Sequence, residues 1–265
     1  MRFCSIASGS SGNCIYVSSD TTTLLVDMGI SAKRVTEGLG TLDRKPEEVE
    51  GILITHEHSD HIAGLRVFSK KYHISIYGTA KTLEAIKRTD TKNEIDEVLY
   101  REICPDESFI LKDIKISPMS VSHDAADPVA YRLALGKKKL GIITDLGEYN
   151  DYTVECLKGM DALFVEANHD VRMLELGPYP YPLKQRILGK RGHLSNEASG
   201  QLISALAHDG LSTIVLGHLS KENNLPDLAF ETVRVEIGLS DNPYKAEDFR
   251  ISVAKRSEVS EINII

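Results

Sequence analysis

The 265-residue sequence predicts an α/β fold made of short apolar strands and intervening helices. Two observations support this prediction. Short apolar runs recur along the chain, and segments with helical spacing of apolar residues lie between many of them. Several of these runs end abruptly in His or Asp, in the first half of the chain and again in the second. Because no linker rich in Gly, Ser or Pro divides the chain, we expect residues 1–265 to form a single domain.

Composition limits the class of protein. Charged residues make up 26% and hydrophobic residues 42%, as in ordinary globular proteins. No apolar run approaches the roughly 20 residues that span a bilayer, and the amino-terminal residues lack the long apolar segment of a secretory signal. The four cysteines form no CxxC pair, so we expect reduced thiols in a cytoplasmic protein, with two disulfides as the alternative.

The formal net charge of −8, taken alone, argues against a nucleic-acid binder. Bound divalent cations would neutralise part of this acidity, because they would lie among the carboxylates. The total charge is therefore weak evidence for or against DNA binding, and local clusters of charge are more informative.

In the first half of the chain, apolar runs predict strands and small polar residues predict helix starts. Thr79 precedes a helical stretch in which Leu83 and Ile86 lie one helical step apart. Residues 90–107 are charged, and we expect them to be irregular. The expected strands are 2–7, 14–18, 23–27, 51–54 and 74–77, and the expected helices begin near residue 31 and cover 62–70 and 80–88.

In the second half, the pattern predicts two hairpins followed by alternating strands and helices. A small Gly-His-Leu-Ser pattern occurs twice, at 192–195 and 217–220, and each Ser could cap the helix that follows. The expected strands are 108–111, 114–120, 129–135, 139–144, 162–165, 212–216 and 249–254, and the expected helices are 150–159, 198–208 and 223–238.

The strongest functional signal lies at residues 51–61, where a buried strand ends in a dense group of polar side chains. Burying such groups at a strand end is costly unless something compensates them. A divalent metal does so, because imidazole nitrogen and carboxylate oxygen are its natural ligands. His56 and His58 point to the same side of an extended chain and can bind one ion together, while Asp60 and His61 could reach a second.

Three later strands also end in a candidate ligand, namely His123, Asp145 and His218. A carboxylate has two oxygens, so Asp145 could bridge two ions. Asp27 ends an earlier strand in the same way and could orient a metal-binding His. A helix cap is the alternative role for either aspartate.

The stretch His56-Glu57-His58-Ser59-Asp60-His61 resembles the HxHxDH signature of the metallo-β-lactamase fold. This resemblance implies a four-layer αββα sandwich of two pseudo-symmetric halves, with a binuclear metal site at one sheet edge. Because the ligand set lacks thiolate, the two divalent ions could be Zn, Mn or Fe. The resemblance implies that His56, His58 and His123 bind the first ion, that Asp60, His61 and His218 bind the second, and that Asp145 bridges them.

The resemblance also gives a role to His193. Nuclease members of the superfamily carry an extra His before the last ligand, near the scissile phosphate, and His193 matches it in order and in its helix-start setting. It could stabilise phosphoryl oxygens or protonate the leaving oxygen, while Asp60 could steer the nucleophile. Where the tRNA-processing branch has a Glu that orients this His, the present chain has Ile142. The separation of Asp145 from His218 is too short for the extra domain of the β-CASP nucleases.

Residues 171–193 are unusually basic for so acidic a chain, and tyrosines and prolines are interleaved there. Basic and aromatic groups together suit a phosphate backbone and unstacked bases. A solvated helix face with a Pro-rich connector is an equal alternative. The candidate substrate-binding residues in this segment are Arg186, Lys190 and Arg191.

Two other stretches could contribute to substrate binding. The Ser- and Gly-rich loop at 8–13 exposes backbone N–H groups and could hold a phosphate beside Ser10 and Ser11. A simple hairpin turn is the alternative for this loop. Asn168 and His169 follow another predicted strand, and we expect them at the rim of the site, with Asn168 as a substrate-binding residue.

Four stretches, at 7–13, 168–170, 192–196 and 218–224, resemble the WalJ/YycJ group of bacterial DNA exonucleases. The resemblance implies a metal-dependent phosphodiesterase, most specifically a 5′→3′ DNA exonuclease that uses a metal-bridging hydroxide. Its partner would be DNA, with no membrane and no obligate protein partner. A small-molecule hydrolase of the same fold (a thioesterase, lactonase or cyclic-nucleotide phosphodiesterase) is the alternative. A regulatory binding protein is a third possibility, although no ligand position is missing.

Overall fold

The structure, a computed structural model, describes residues 1–92 and 94–265. The chain divides into two compact units. The first unit comprises residues 1–120, 125–136 and 255–264, and the second comprises 121–124 and 137–254 together with Ile265. The expectation of one domain over the whole chain stays a prediction.

The first unit is organised around a mixed sheet of seven strands. The sheet has the strand order β14-β1-β2-β3-β4-β5-β6, antiparallel from β14 to β3 and parallel from β3 to β6, and the unit also holds the antiparallel run β7-β8-β9. These strands are β1 (Arg2–Ala7), β2 (Cys14–Ser18), β3 (Thr23–Val26), β4 (Val49–Leu53), β5 (Ile76–Thr79), β6 (Tyr100–Ile103), β7 (Phe109–Leu111), β8 (Ile114–Ser120), β9 (Val129–Leu135) and β14 (Asn263–Ile264).

Strands β3 and β4 position the first group of candidate ligands. β3 is buried along its whole length and β4 nearly so, which explains why both sequences are almost entirely apolar. The two strands are parallel, so their carboxyl ends lie at the same edge of the sheet. Asp27 and residues 54–61 follow these ends, and the topology therefore brings them together.

Helices of the first unit cover the sheet with apolar faces. They are α1 (Ala32–Thr41), α2 (Ser59–Ile62), α3 (Leu65–Tyr72) and α4 (Ala80–Thr89). Thr79 caps α4 by accepting a hydrogen bond from the Thr82 N–H, as predicted. The single helix expected at 62–70 is two helices that meet at Gly64, where a Cβ atom would lie 2.0 Å from the carbonyl oxygen of Ile30.

The second unit has four parallel strands in the order β10-β11-β12-β13. Helices connect them, as parallel strands require. Asp145, Glu166 and His218 lie at or just beyond the carboxyl ends of β10, β11 and β12. The elements are β10 (Lys138–Ile143), α5 (Asp151–Leu157), β11 (Ala162–Glu166), α6 (Val171–Leu176), α7 (Tyr181–Leu188), α8 (Asn196–Leu206), β12 (Thr213–Gly217), α9 (Pro226–Leu239) and β13 (Arg250–Val253). Strands and helices alternate through this unit, and the predicted α/β class is confirmed.

Of the two helix caps predicted from the repeated Gly-His-Leu-Ser pattern, one is confirmed and one is wrong. Ser195 caps α8 by accepting a hydrogen bond from the Ala198 N–H, as predicted. The cap predicted at Ser220 is wrong, because its hydroxyl accepts from the Asn223 N–H inside a turn, and α9 begins at Pro226, a residue tolerated in a first turn.

Across residues 1–92 and 94–265, no helix has both the length and the apolar character that crossing a bilayer demands.

We predict that Gly29→Ala destabilises the protein, because the new Cβ would lie 1.6 Å from the Asp60 carbonyl oxygen and 2.7 Å from the Asn13 nitrogen. The free energy of unfolding, measured by urea denaturation, should fall by about 1–3 kcal/mol or more. Gly40→Ala is the matched control. It lies in α1 with no atom within 4 Å of its Cβ position, and it should gain up to about 1 kcal/mol. Equal stability of the two variants would contradict the packing argument.

Candidate active site

In the first unit, four candidate ligands cluster on the histidine loop, which we define as residues 55–61. The ring centroids of His56 and His58 lie 4.5 Å apart, and those of His56 and His61 lie 4.1 Å apart. Asp60 Oδ2 lies 3.5 Å from His61 Nε2. The structure therefore brings three imidazoles and one carboxylate together in one short segment after β4 that runs into α2.

The carboxylate of Asp27 contacts the histidine loop. Its φ of 60° turns the chain out of β3, and its carboxylate is fully buried. Asp27 Oδ2 lies 2.8 Å from His61 Nδ1, and Oδ1 accepts a hydrogen bond of 2.8 Å from the Thr55 N–H. Burial raises the pKa of Asp27, while the contacts with His61 and Thr55 oppose this rise. Asp27 therefore contacts a histidine, as its predicted orienting role requires, and Ser31, not Asp27, caps α1.

The Ser- and Gly-rich loop at 8–13 is attached to the histidine loop. The Asn13 N–H donates to the Asp60 carbonyl oxygen at 2.8 Å, and Asn13 Nδ2 lies 3.2 Å from His61 Nε2. Gly9 and Gly12 have φ values of 146° and 143°, which side chains rarely permit. Ser10 and Ser11 are exposed at the tip of this loop. Their predicted contact with a phosphate stays a prediction.

In the second unit, four side chains converge at the strand ends. Asp145, Glu166, His193 and His218 each offer one potential ligand atom, and these atoms lie within 4.8 Å of one another. Asp145 Oδ1 lies 3.4 Å from His218 Nε2 and 3.3 Å from His193 Nδ1. Asn150 caps α5, so the alternative role of Asp145 as a helix cap is wrong. The convergence follows from three neighbouring parallel strands that end at one edge.

Glu166 is a candidate site residue that was not predicted from the sequence. It is fully buried, and its Oε1 lies 2.7 Å from His193 Nδ1. Its Oε2 accepts hydrogen bonds from the backbone N–H groups of Leu146 at 2.9 Å and Leu194 at 3.2 Å. From the sequence, such a carboxylate was expected at the position of Ile142, whereas the structure supplies it from the next strand. The signal was present, because Glu166 ends an apolar strand as Asp27 and Asp145 do.

Burial raises the pKa of Glu166 to about 7, and the neighbouring His193 opposes this rise. His193 itself is partly accessible, with 19% of its side chain exposed. Its ring stacks on that of His218, with centroids 5.3 Å apart and planes 19° apart. The Nδ1 nitrogen of His193 faces Glu166, and Nε2 lies on the other side of the ring.

His123 is held by residues 171–193, which we call the basic segment. His123 Nδ1 lies 3.0 Å from the Gly192 carbonyl oxygen, and Arg191 donates two hydrogen bonds, of 3.1 and 3.0 Å, to the His123 carbonyl oxygen. Arg186 forms a two-pronged ion pair with Asp124. Both arginines, predicted to bind substrate, therefore use their guanidinium groups to hold the loop at 121–124. The side chain of Lys190 is instead 84% exposed, and its Nζ lies 3.4 Å from Glu148 Oε2.

The expected rim position of Asn168 and His169 is wrong, since only 4% and 1% of these residues are exposed. Asn168 Nδ2 donates a hydrogen bond of 3.0 Å to the carbonyl oxygen of His218. His218 has a left-handed φ of 53°, and this contact supports that conformation. Burial lowers the pKa of His169 to about 4, so its imidazole stays neutral near pH 7.

The donor sets of the two units suit divalent metal ions. Imidazole and carboxylate groups are the ligands that such ions prefer in the absence of thiolate. His61 and His123 each direct Nδ1 at a buried oxygen, of Asp27 and Gly192 respectively, which leaves Nε2 as the ligand atom. Burial lowers the pKa of His123, opposed by Asp145, and so favours the neutral, metal-binding imidazole. The types of donor atom and the orientations of these two rings are thus those expected of metal ligands.

Comparison with known proteins supports this interpretation. A family profile described as a β-lactamase superfamily domain matches residues 22–219. The chain is 39% identical over 240 residues to the exodeoxyribonuclease WalJ of Streptococcus pneumoniae, with 91% of this chain and 89% of that protein covered. It is also 39% identical over 237 residues to the exodeoxyribonuclease YycJ of Bacillus anthracis, with 86% of each covered.

Solved structures give the same answer for the fold. The metallo-β-lactamase fold protein YhfI from Bacillus subtilis matches with a TM-score of 0.72 and 17% identity, covering 98% of this chain and 99% of that one. The short form of human tRNase Z matches with a TM-score of 0.68 and 16% identity, covering 100% of both chains. At these identities the likeness shows the fold alone, and it confirms the predicted metallo-β-lactamase fold.

We predict that Glu166 makes the metal-free protein less stable as the pH rises. With a folded pKa of about 7 against an ordinary 4.5, folded Glu166 keeps a proton that the unfolded chain has released between these values. The contribution of Glu166 to the free energy of unfolding should therefore fall from pH 4.5 to 7. Urea denaturation in the presence of a chelator should show that the free energy of unfolding of the wild type, relative to that of Glu166→Gln, falls between pH 4.5 and 7.

Glu155→Gln is the control for this measurement, because 66% of the Glu155 side chain is exposed. Its pH profile should run parallel to that of the wild type. Parallel profiles for the wild type and Glu166→Gln would show that Glu166 does not carry the buried proton.

Proposed function

Since the chain belongs to the β-lactamase superfamily, we propose that it is a metal-dependent phosphodiesterase, a 5′→3′ exonuclease acting on DNA. The observation that carries this proposal is the buried Glu166–His193 pair beside Asp145 and His218. A histidine oriented by a carboxylate next to metal ligands suits the protonation of a leaving oxygen. The 39% identity to two exodeoxyribonucleases over most of the chain supports the choice of DNA.

Two divalent cations, Zn, Mn or Fe, complete the proposed site. Two such ions would lower the pKa of water and stabilise the oxygens of an in-line displacement. The Nδ1 contacts of His61 and His123 support this assignment, because they leave Nε2 to bind metal in each unit. The proposed ligands are His56, His58, Asp60, His61, His123, Asp145 and His218.

The protein's own groups move the protons. Glu166 accepts a hydrogen bond from His193 Nδ1 and holds the ring in one orientation. His193 Nε2 donates a proton to the leaving oxygen of the DNA strand. Asp60, whose side chain is 25% exposed, accepts a hydrogen bond from the attacking water and steers it toward the phosphorus.

Exposed groups near the candidate ligands bind the DNA. Ser10 and Ser11 donate hydrogen bonds to a phosphate from the tip of a loop that is anchored to the histidine loop. Lys190 attracts a further phosphate, and Tyr181, 72% exposed at the start of α7, can stack on an unpaired base. The basic segment thus combines phosphate binding by Lys190 with support of His123 by Arg191.

The proposed location is the cytoplasm, and the protein acts without an obligate protein partner. Cys4, Cys14, Cys104 and Cys156 form no disulfide in the part of the chain that the structure describes, which suits a reducing compartment. A small-molecule hydrolase of the same fold is the second candidate function, and the net charge of −8 favours it, because a polyanion is repelled by an acidic surface. Comparing turnover of end-labelled duplex DNA, a thioester and a bis-phosphodiester with Mn²⁺ added decides between the two.

We predict different losses for two substitutions in the site. Asp60→Ala should abolish DNA cleavage and lower the metal content, because it removes both a ligand and the group that steers the water. His193→Ala should slow cleavage by about 10²–10⁴-fold while both ions are retained, because it removes only the general acid. Cleavage of 5′-labelled DNA and elemental analysis of the purified protein measure these effects.

His73→Asn is the control for these variants. His73 is exposed and has a left-handed φ of 55°, which Asn tolerates, so the variant should cleave at the wild-type rate. Wild-type cleavage by His193→Ala would show that His193 is not the general acid. Loss of metal from His193→Ala would instead make it a ligand.

We predict that Lys190→Ala and Arg191→Ala act through different steps. Lys190→Ala should weaken DNA binding. It should also reduce the slope of the logarithm of the binding constant against the logarithm of salt concentration by about one, as expected for the loss of one phosphate contact. Arg191→Ala should lower metal content, because it removes two hydrogen bonds to His123. Lys137→Ala, on the exposed turn between β9 and β10, serves as the control. An unchanged salt slope in Lys190→Ala would exclude the phosphate contact.

A further inference from the structure

Helices α6 and α7 lie within the basic segment and are attached at both ends to the surroundings of candidate site residues. Just before α6, the Asp170 N–H donates a hydrogen bond of 2.9 Å to the carbonyl oxygen of Asn223, in the loop that follows His218. At the end of α7, the Ile187 carbonyl oxygen accepts one of 3.0 Å from the His193 N–H. The two helices are therefore held beside the backbone of the candidate site.

The connection between α6 and α7 is stiff. A Cβ atom at Gly177 would lie 2.6 Å from Asn223 Oδ1, so this turn is packed closely against the loop after His218. Lys184 Nζ donates a hydrogen bond of 2.7 Å to the Glu175 carbonyl oxygen and so joins α7 to α6. Three prolines within five residues also restrict the backbone, because proline fixes φ. They are Pro178, Pro180 and Pro182.

This stiff support holds large apolar side chains in water. Leu176, the last residue of α6, is 88% exposed, and Tyr181 and Leu188, the first and last residues of α7, are exposed as well. The helices contribute little to the core of their own unit, because α7 buries no residue and α6 buries only Leu174. Folding therefore does not account for these apolar side chains, and their clustering is typical of a binding surface.

The charge around these side chains favours a polyanionic partner. Glu175 is the only acidic residue of the basic segment. Arg186 and Lys190 are each paired with a carboxylate. Arg172 and Lys184 form no ion pair with any acidic side chain that the structure describes, and the hydrogen bond of Lys184 to a carbonyl leaves its charge in place. Unpaired positive charge beside large apolar groups suits nucleic acid, which presents phosphates and flat base faces together.

Helix α7 sets the distance between Tyr181 and His193. Tyr181 precedes Ile187, whose carbonyl oxygen contacts the His193 backbone, by six residues. Six residues of α-helix extend about 9 Å, whereas successive base pairs of a duplex lie about 3.4 Å apart. The exposed ring therefore lies about three base steps along α7 from the backbone of His193, which is close enough to act on the strand that His193 contacts.

We propose that Leu176 and Tyr181 form a wedge that separates the two strands at a DNA end. The link at 177–180 is only four residues long, so it keeps both side chains at the same end of the two helices. Leucine is among the side chains that proteins insert between bases to unstack them. The tyrosine ring then stacks on the base that has been freed, while Arg172 and Lys184 attract the phosphates. This inference rests on the proposed nuclease function and assigns duplex ends to it as substrate.

The test compares two DNA ends, using the metal-loaded, full-length protein. One end is blunt, and the other has mismatches in place of its last three base pairs, so that its strands are already apart. Leu176→Ser should raise the ratio of the rate on the mismatched end to the rate on the blunt end about tenfold, as expected for the unassisted opening of one base step. Leu176→Met should keep the wild-type ratio, because methionine can also be inserted between bases.

Leu239→Ser is the matched control. Leu239 also ends a helix, α9, and is 73% exposed, so this variant should keep the wild-type ratio. An unchanged ratio in Leu176→Ser, equal slowing on both ends, or the same rise in Leu239→Ser would overturn the proposal. A wild-type dimer in sedimentation equilibrium that dissociates in Leu176→Ser would also overturn it, because a second copy of the chain would then cover Leu176.

A binding measurement distinguishes the wedge from the proposed nuclease function. The duplex carries 2-aminopurine in its terminal base pair and phosphorothioate linkages that resist cleavage. Its fluorescence, which increases when the base unstacks, should rise with the wild type and with Leu239→Ser but not with Leu176→Ser. If the wild type cleaves neither end and the fluorescence still rises in this way, the nuclease function fails and the wedge stands. If the wild type leaves the fluorescence unchanged, the wedge fails whether or not DNA is cleaved.

Discussion

A buried oxygen facing the Nδ1 nitrogen of an imidazole is the interaction on which the candidate ligands of each unit depend. Asp27 contacts His61, the Gly192 carbonyl contacts His123, and Glu166 contacts His193. Each contact fixes the orientation of a ring and leaves Nε2 as its reactive nitrogen. Without these oxygens, the three imidazole rings could rotate among several orientations. The nitrogen that each ring presents to a metal ion or a substrate would then not be fixed.

The fold supplies these oxygens at the carboxyl ends of parallel strands. Asp27 follows β3, and Glu166 is the last residue of β11, so each buried carboxylate is attached to a rigid element. Burial of a carboxylate is costly, and it is tolerated here because backbone N–H groups donate to both residues. Strand topology, hydrogen bonding and ring orientation are therefore parts of one arrangement.

Much of this arrangement was visible in the sequence. The candidate ligands at 56–61 could be predicted because alternation in a strand and adjacency in a loop are local properties. Glu166 could not be paired with His193, since their contact depends on which strands are neighbours. The roles of Arg186 and Arg191 were also hidden, because a basic residue shows its charge but not the acceptor it meets. Strand β6 was missed because its sequence, Tyr-Arg-Glu-Ile, is polar and half-exposed at a sheet edge.

The attachment of the 121–124 loop to the basic segment has an evolutionary consequence. Ser122 donates to the Lys190 carbonyl oxygen, and Gly147, two residues after Asp145, has so little space that a Cβ atom would lie 2.2 Å from the same oxygen. Sequence drift at residues 190–192 of this segment is therefore restrained by the residues beneath them. Under the proposed function, a substitution there that alters DNA binding would disturb ion retention at the same time, so adaptation should proceed instead through exposed positions of α6 and α7, earlier in the same segment.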